Sequence, residues 1–498
     1  MINSLNKNRT GAMMLKDPLV AVFLILLAIA LGYFISIGGL KTAAILIVIP
    51  VVLIYLNRFF VNPRIGVYTV IVLAFTAIGI GRYVPGVPLG LGVDGVLVLT
   101  YIAIFFKYFY QKLDLRPVQN ELTLIAVVWF LYSVAEFFNP LALSRTAWFY
   151  AMRGMSLYML LLIPITFLIF NRIKFVYIFL YLWAFWTILV TLKGVQQMMF
   201  GPDFAEQRWL DEGGAVTHII FGELRIFSFL SDAGQFGAAQ AVAFVVGTIL
   251  ALHLKGVRNK IIFGVMALTG FYGMMISGTR GAIIVPAAGF LIYLIHTKNY
   301  KAIIIGLALM TAATVFFRYT YIGQSISQIR RMRTAFRPAD DASLQVRLQT
   351  KEILKDYLAD KPFGGGIGSA GNWGKRFSPQ GFLANIATDS WYVQIWAEQG
   401  IVGLVLHLIM MFYIVLKGSF YVMTRLEDPE LKFIISALIA GMVGLMGASY
   451  GNGVFGQMPS GVMVYISMAL IFMSPWLDDE LIAIKKRNER VFENNVYY

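Results

Sequence analysis

The chain has 498 residues, of which 59% are hydrophobic and only 13% charged. A water-soluble globule of this size has no interior large enough for that apolar content, so the bilayer is its solvent. The formal charge of +15 would point to nucleic acid in a soluble protein; in a membrane chain it marks cytoplasmic loops, and no nucleic-acid partner is expected.

The first segment, MINSLNKNRTGAMMLKDP, is polar and basic. The apolar run after it is longer than a signal-peptide core and shows no small-residue cleavage site, so it reads as a retained first span. Runs able to cross a hydrocarbon core of about 30 Å follow at 18–37, 42–57, 65–82, 91–109, 120–137, 150–170, 174–195, 228–253, 261–278, 281–297, 301–317, 389–416, 431–449 and 459–475. The expected fold class is therefore all-α, a polytopic transmembrane helical bundle of roughly 14 spans. With the N-terminus in the cytoplasm, every inner connection carries at least two cations, from Lys7, Arg9 and Lys16 to the tail KKRNER. Both termini are then cytoplasmic.

Two outer connections are long, 196–227 and 318–388. Within the second, DDASLQVRLQTKEILKDYLADKP reads as an amphipathic helix ended by Pro362, with Asp340 and Asp341 at its start. PFGGGIGSAGNWG reads as a flexible glycine loop. The organisation expected is a span region over 1–317, a large, partly helical external loop or lid over 318–388, and C-terminal spans with a basic tail over 389–498.

Cations on the outer face are the informative residues, because they should be scarce there. Arg280 stands in MMISGTRGAIIVP with almost no loop around it, Arg225 in FGELRIFSFLSDAGQFG, Arg145 and Arg153 in LSRTAWFYAMRG, and Arg347 on the loop helix. An arginine at membrane depth costs several kcal/mol unless paired or hydrated, on the order of 3 at the helix centre. Guanidinium forks bind phosphate oxygens bidentately and stay charged. A lipid-linked phosphate or diphosphate is the ligand these residues suggest; interfacial snorkelling, or pairing with Asp94, Glu136 or Asp232, is the plainer alternative. Asp389 opens the run DSWYVQIWAEQGIVGL. It reads either as a helix cap or as a general base at an outer cavity. Glu398, deeper in the same run, reads as structural or as reaching the cavity only through water. Trp373, Trp391 and Tyr392 are candidate sugar-stacking faces or interfacial aromatics. No HExxH or DxD pattern occurs and cysteine is absent, so no metal site and no cofactor are expected.

Three segments carry a resemblance to the O-antigen ligase and polymerase superfamily. SGTRGAIIVPAAGFLIYL is similar to the family's Ser-x-Ser-Arg-Gly segment, with Arg280 in the arginine place. LRIFSFLSDAGQFGAA is similar to its upstream segment, with Arg225. RLQTKEILKDYLADKPFGGGIGSAGNW followed by ATDSWYVQIWAEQGIVGL resembles the periplasmic loop and exit helix, with Arg347. Together they cover about 220–420. Where the family usually begins the exit helix with His, this chain has Asp389.

The resemblance implies a metal-independent, inverting glycosyltransferase of the bacterial inner membrane, acting in lipopolysaccharide or other polysaccharide biosynthesis with its active site facing the periplasm. The donor would be an undecaprenyl diphosphate-linked glycan and the acceptor a hydroxyl of lipid A-core, a polysaccharide or a protein. Arg280 and Asp389 would be catalytic, with Arg225, Arg347, Arg153 and Arg145 binding substrate. A polymerase of the same superfamily and a flippase for the same lipid-linked sugar are the alternatives.

Overall fold

The computed structural model describes residues 18–109, 114–220, 222–334, 336 and 342–496. The basic N-terminal segment and the Asp340–Asp341 pair lie outside the described residues. The fold is all-α, and among the described residues 12 helices are long and apolar enough to cross a membrane. Each apolar run read from the sequence contains a helix. The first two are joined as Pro18–Val61, bent where Gly39 takes φ 58°, and Tyr300–Tyr319 is a further apolar helix.

The chain divides into two compact units. The smaller holds residues 18–65 and 102–109, with an aromatic run Tyr55, Phe59, Phe60 and Phe106. The larger holds 66–101 and 114–496. Its centre is built on close helix contacts. A Cβ at Gly270 would lie 2.7 Å from the backbone nitrogen of Phe244, and one at Gly444 2.6 Å from the carbonyl of Val285. Small residues let these backbones approach closely, which is how helices associate without a hydrophobic drive between them. Pro429–Ala448 and the span Ser460–Arg487 are the most deeply buried.

Two expectations are corrected. The span read as 228–253 begins at Ala233, capped by the Asp232 side chain. Residues 227–230 form a turn instead, because the Gln197 side chain accepts from the nitrogens of Phe227 and Ser228 and Arg82 donates to the carbonyls of Ser228 and Leu230. The glycine segment is no flexible loop, since residues 364–370 are all buried. Helix Trp391–Phe420 breaks at Gly400, φ 65°, and the segment fills the break. Gly365 and Gly366 donate to the carbonyls of Ala397 and Glu398 at 2.9 and 2.8 Å, and Val402 donates to Pro362 at 3.2 Å. Non-helical backbone within a span is tolerated only when its polar groups are satisfied in this way.

Candidate functional site

The site forms where several helices begin. The helix at Ala233 starts on the Asp232 cap, and a 3₁₀ turn Arg280–Ile283 starts the next but one. The helix at Trp391 is capped by Ser390. Asp389 is therefore not the cap. It stands one residue earlier, which leaves its carboxylate exposed.

The connection 449–457 knits these starts together. The Trp391 nitrogen donates to the carbonyl of Ser449 at 3.0 Å. The Asn452 amide lies where a Cβ on Gly281 would be, 2.3 Å away, and 3.3 Å from one on Gly234. Ser231 donates to Gln457 at 3.1 Å. Sequence reading passed over this loop. Its only signal was the Gly and Asn density of YGNGVFGQ between two spans.

The loop helix Ala342–Leu358 packs Leu354 and Leu358 against Val393 and Ala397 of the Trp391 helix. Lys351 is anchored by donating to the Tyr450 hydroxyl at 2.7 Å. Two helical turns before Leu354, this brings Arg347 to the same small pocket as Asp389. A second loop helix, Ser327–Thr334, is tied by Arg331 to Glu223 at 3.3 Å. Arg331 is a further cation of the site that sequence reading missed.

One cavity of about 2830 Å³ is lined by Arg225, Arg280, Arg347, Arg153, Arg331 and Asp389 among others. Burial lowers the Arg225 guanidinium from its usual pKa. The carboxylates of Asp232 and Asp389 work against that shift, and the charges of Arg331 and Arg280 reinforce it. The Nε of Arg347 is buried and has no hydrogen-bond partner among the described residues.

The other expected residues separate. Arg153 reaches the cavity but spends its charge inside: it pairs with Asp94 at 2.6 Å and donates to the carbonyl of Gly90 and the hydroxyl of Tyr158 at 2.7 and 2.9 Å. Arg145 does not line the cavity. It is exposed, donates to the carbonyl of Phe137 and lies over that ring. Of the aromatics, Trp391 touches the cavity but is buried on Phe455 and donates to His407, and Tyr392 donates to the carbonyl of Met446. Trp373, stacked on Tyr150 with centroids 4.9 Å apart, stays at the cavity wall. Glu398 is fully buried and accepts from the nitrogen of Ala370 at 3.1 Å, which makes it a structural group of the glycine segment.

Fold and cavity define a polytopic α-helical membrane protein with a cation-lined cleft. Residues 265–408 match the family model described as O-antigen ligase. The chain is also 27% identical over 216 residues to an O-antigen polymerase from Salmonella muenchen, a match covering 41% of this chain and 49% of the relative. The chain thus spans about half the length of the curated relative it matches. Over residues 265–408 it is similar to the O-antigen ligase family, and that matched segment carries Arg280, Arg347 and Asp389.

Proposed function

We propose that this protein is a glycosyltransferase of the O-antigen ligase type, moving a glycan from undecaprenyl diphosphate to a hydroxyl acceptor. The observation that carries the reading is the convergence of Arg225, Arg280 and Arg347 with Asp389 on one cavity. The helices starting at Ala233 and Trp391 bring their positive dipole ends to the same region. A diphosphate seated there is held by charge-assisted hydrogen bonds. The unsatisfied Nε of Arg347 supplies one more donor.

The chemistry follows from the donor. Asp389 takes the proton of the acceptor hydroxyl, the oxygen attacks the anomeric carbon from the face opposite the diphosphate, and the configuration inverts. The arginines stabilise the charge that accumulates on the departing phosphate oxygens. No nucleotide and no metal are called for, because the glycosyl bond is already activated. The cavity faces the periplasm of an inner-membrane protein with both ends cytoplasmic, and the 318–388 segment covers it.

The test is purified protein in lipid vesicles with an undecaprenyl diphosphate-linked glycan and a panel of hydroxyl acceptors. Release of undecaprenyl diphosphate with a glycosylated acceptor supports transfer. Arg280→Ala should slow it about 10²–10³-fold, the usual cost of one electrostatic donor in a transition state, with the unfolding temperature unchanged. Glycan crossing the bilayer while still attached to its lipid would make the protein a flippase and overturn the reading.

A further inference from the structure

The turn between Arg225 and Asp232 is held by a residue outside the cavity wall. Both ends of the turn line the cavity. Its middle residue, Ser228, is fully buried and takes φ 56°, in the left-handed region that serine seldom occupies. Such a backbone persists only where its surroundings over-determine it, and residues of this kind cluster at functional sites.

The surroundings here are specific. Besides holding the nitrogens of Phe227 and Ser228, Gln197 donates through Nε2 to the Ser228 carbonyl at 3.3 Å. The Ser228 hydroxyl donates to the carbonyl of Val190 at 2.6 Å. Arg82, buried in the last turn of helix Arg64–Tyr83, donates through Nη1 to the Ser228 carbonyl at 3.0 Å and through Nη2 to that of Leu230. One planar fork thus grips two carbonyls of the turn.

Rings carry the grip to the cavity. The Arg82 guanidinium lies 4.7 Å from the Trp209 ring centroid and 4.5 Å from that of Phe227. Those two rings meet His218 edge to face, with centroids 4.8 and 5.1 Å away. The His218 carbonyl in turn accepts from the nitrogen of Arg225 at 2.8 Å. The far end of the turn has ties of its own, since Asp232 caps the helix at Ala233 and Ser231 donates to Gln457. Loss of Arg82 would therefore leave Asp232 in place and release Arg225. A lysine keeps the charge but lacks the planar fork that meets two carbonyls and two rings at once.

We propose that Arg82 is a positioning residue of the site, setting Arg225 through the Ser228 turn and the Trp209, His218 and Phe227 rings. The inference rests on the diphosphate-donor reading, because that reading gives Arg225 its task.

The experiment is a double-mutant cycle on the full chain in lipid vesicles, scored per folded molecule. Arg82→Lys should lower kcat about 10²-fold, the cost of a small misplacement caused by a remote change, with KM for the acceptor unchanged. In an Arg225→Ala background the same substitution should cost less than about threefold, as expected when two residues act through one another. Equal loss in both backgrounds is what a merely stabilising Arg82 gives, and it would overturn the proposal. Should Arg82→Lys fold poorly, Ser228→Gly is added, because glycine takes the left-handed backbone without strain. The pair is expected to regain unfolding temperature and still to transfer slowly. Transfer recovered together with stability would also overturn the proposal. The cycle is repeated without chemistry by binding a glycan-free polyprenyl diphosphate. Arg82→Lys should weaken that binding about tenfold, the worth of one charged hydrogen bond, and leave it unchanged where Arg225 is already Ala. Coupled binding with no transfer by any variant would keep Arg82 in its role and refute the glycosyltransferase alone. Transfer by the unaltered protein without coupling would refute the positioning alone.

Discussion

The carboxylates Asp389 and Glu398 lie close together in the chain, yet one meets a cavity and the other meets main chain. Asp389 precedes the helix cap, is exposed, and shares its surroundings with Arg347 and Arg225. Glu398 is fully buried and accepts from the nitrogen of Ala370 in the glycine segment. The arginines divide in the same way. Arg225, Arg280 and Arg153 all line the cavity, but Arg153 is turned inward, paired with Asp94 and donating to Gly90 and Tyr158. On the proposed mechanism, what separates a chemical group from a structural one is the partner it meets, and residue type does not reveal it.

Five substitutions sharpen or break this contrast. Asp389→Ala should have the largest effect, lowering turnover about 10²–10⁴-fold, the range for a general base, with no change in unfolding midpoint; Glu398→Gln keeps an acceptor oxygen and should keep turnover. If the two variants behave alike, the division of roles fails. Arg153→Met strands Asp94 and should cost about 3 kcal/mol of stability, as removal of one partner of a buried pair does, read from thermal unfolding in detergent. Its turnover per folded molecule should fall far less than that of Arg280→Ala. Gly400→Ala should cost about 2 kcal/mol from positive φ and contact strain, because its Cβ would lie 2.0 Å from the Pro362 carbonyl. Arg145→Ala should change stability by less than about 0.5 kcal/mol, as exposed substitutions do, and leave transfer intact. A large loss there would return Arg145 to the substrate site.

The spans were legible because a continuous apolar run has one low-cost conformation in lipid. The loop helix was legible from its leucine spacing, and it carries Arg347 where the cavity forms. The break at Gly400 was not legible, since glycine is common in uninterrupted spans and its partner lies in PFGGGIG, a stretch that reads as loose chain. The caps were hidden for a smaller reason. Asp389 and Ser390 are adjacent and both can cap, and only the backbone shows that Ser390 does. Arg153 was separable from Arg280 only by its contact with Asp94, a residue far away in the chain. The 449–457 connection bears no strong charge, so a search led by cations passed over Asn452.

The union of the glycine segment with the opened turn at Gly400 bears on which parts of the 318–388 stretch can be exchanged without loss of the fold. Residues 362–371 supply the main-chain partners of a transmembrane helix, so they travel with the membrane body even though they sit in the middle of an extramembrane insertion. A replacement for residues 362–371 that cannot make these bonds would leave the amides and carbonyls around Gly400 unpaired within a span. Grafts whose seams spare that decapeptide keep the scaffold whole, and they are the ones through which new specificities can be sampled.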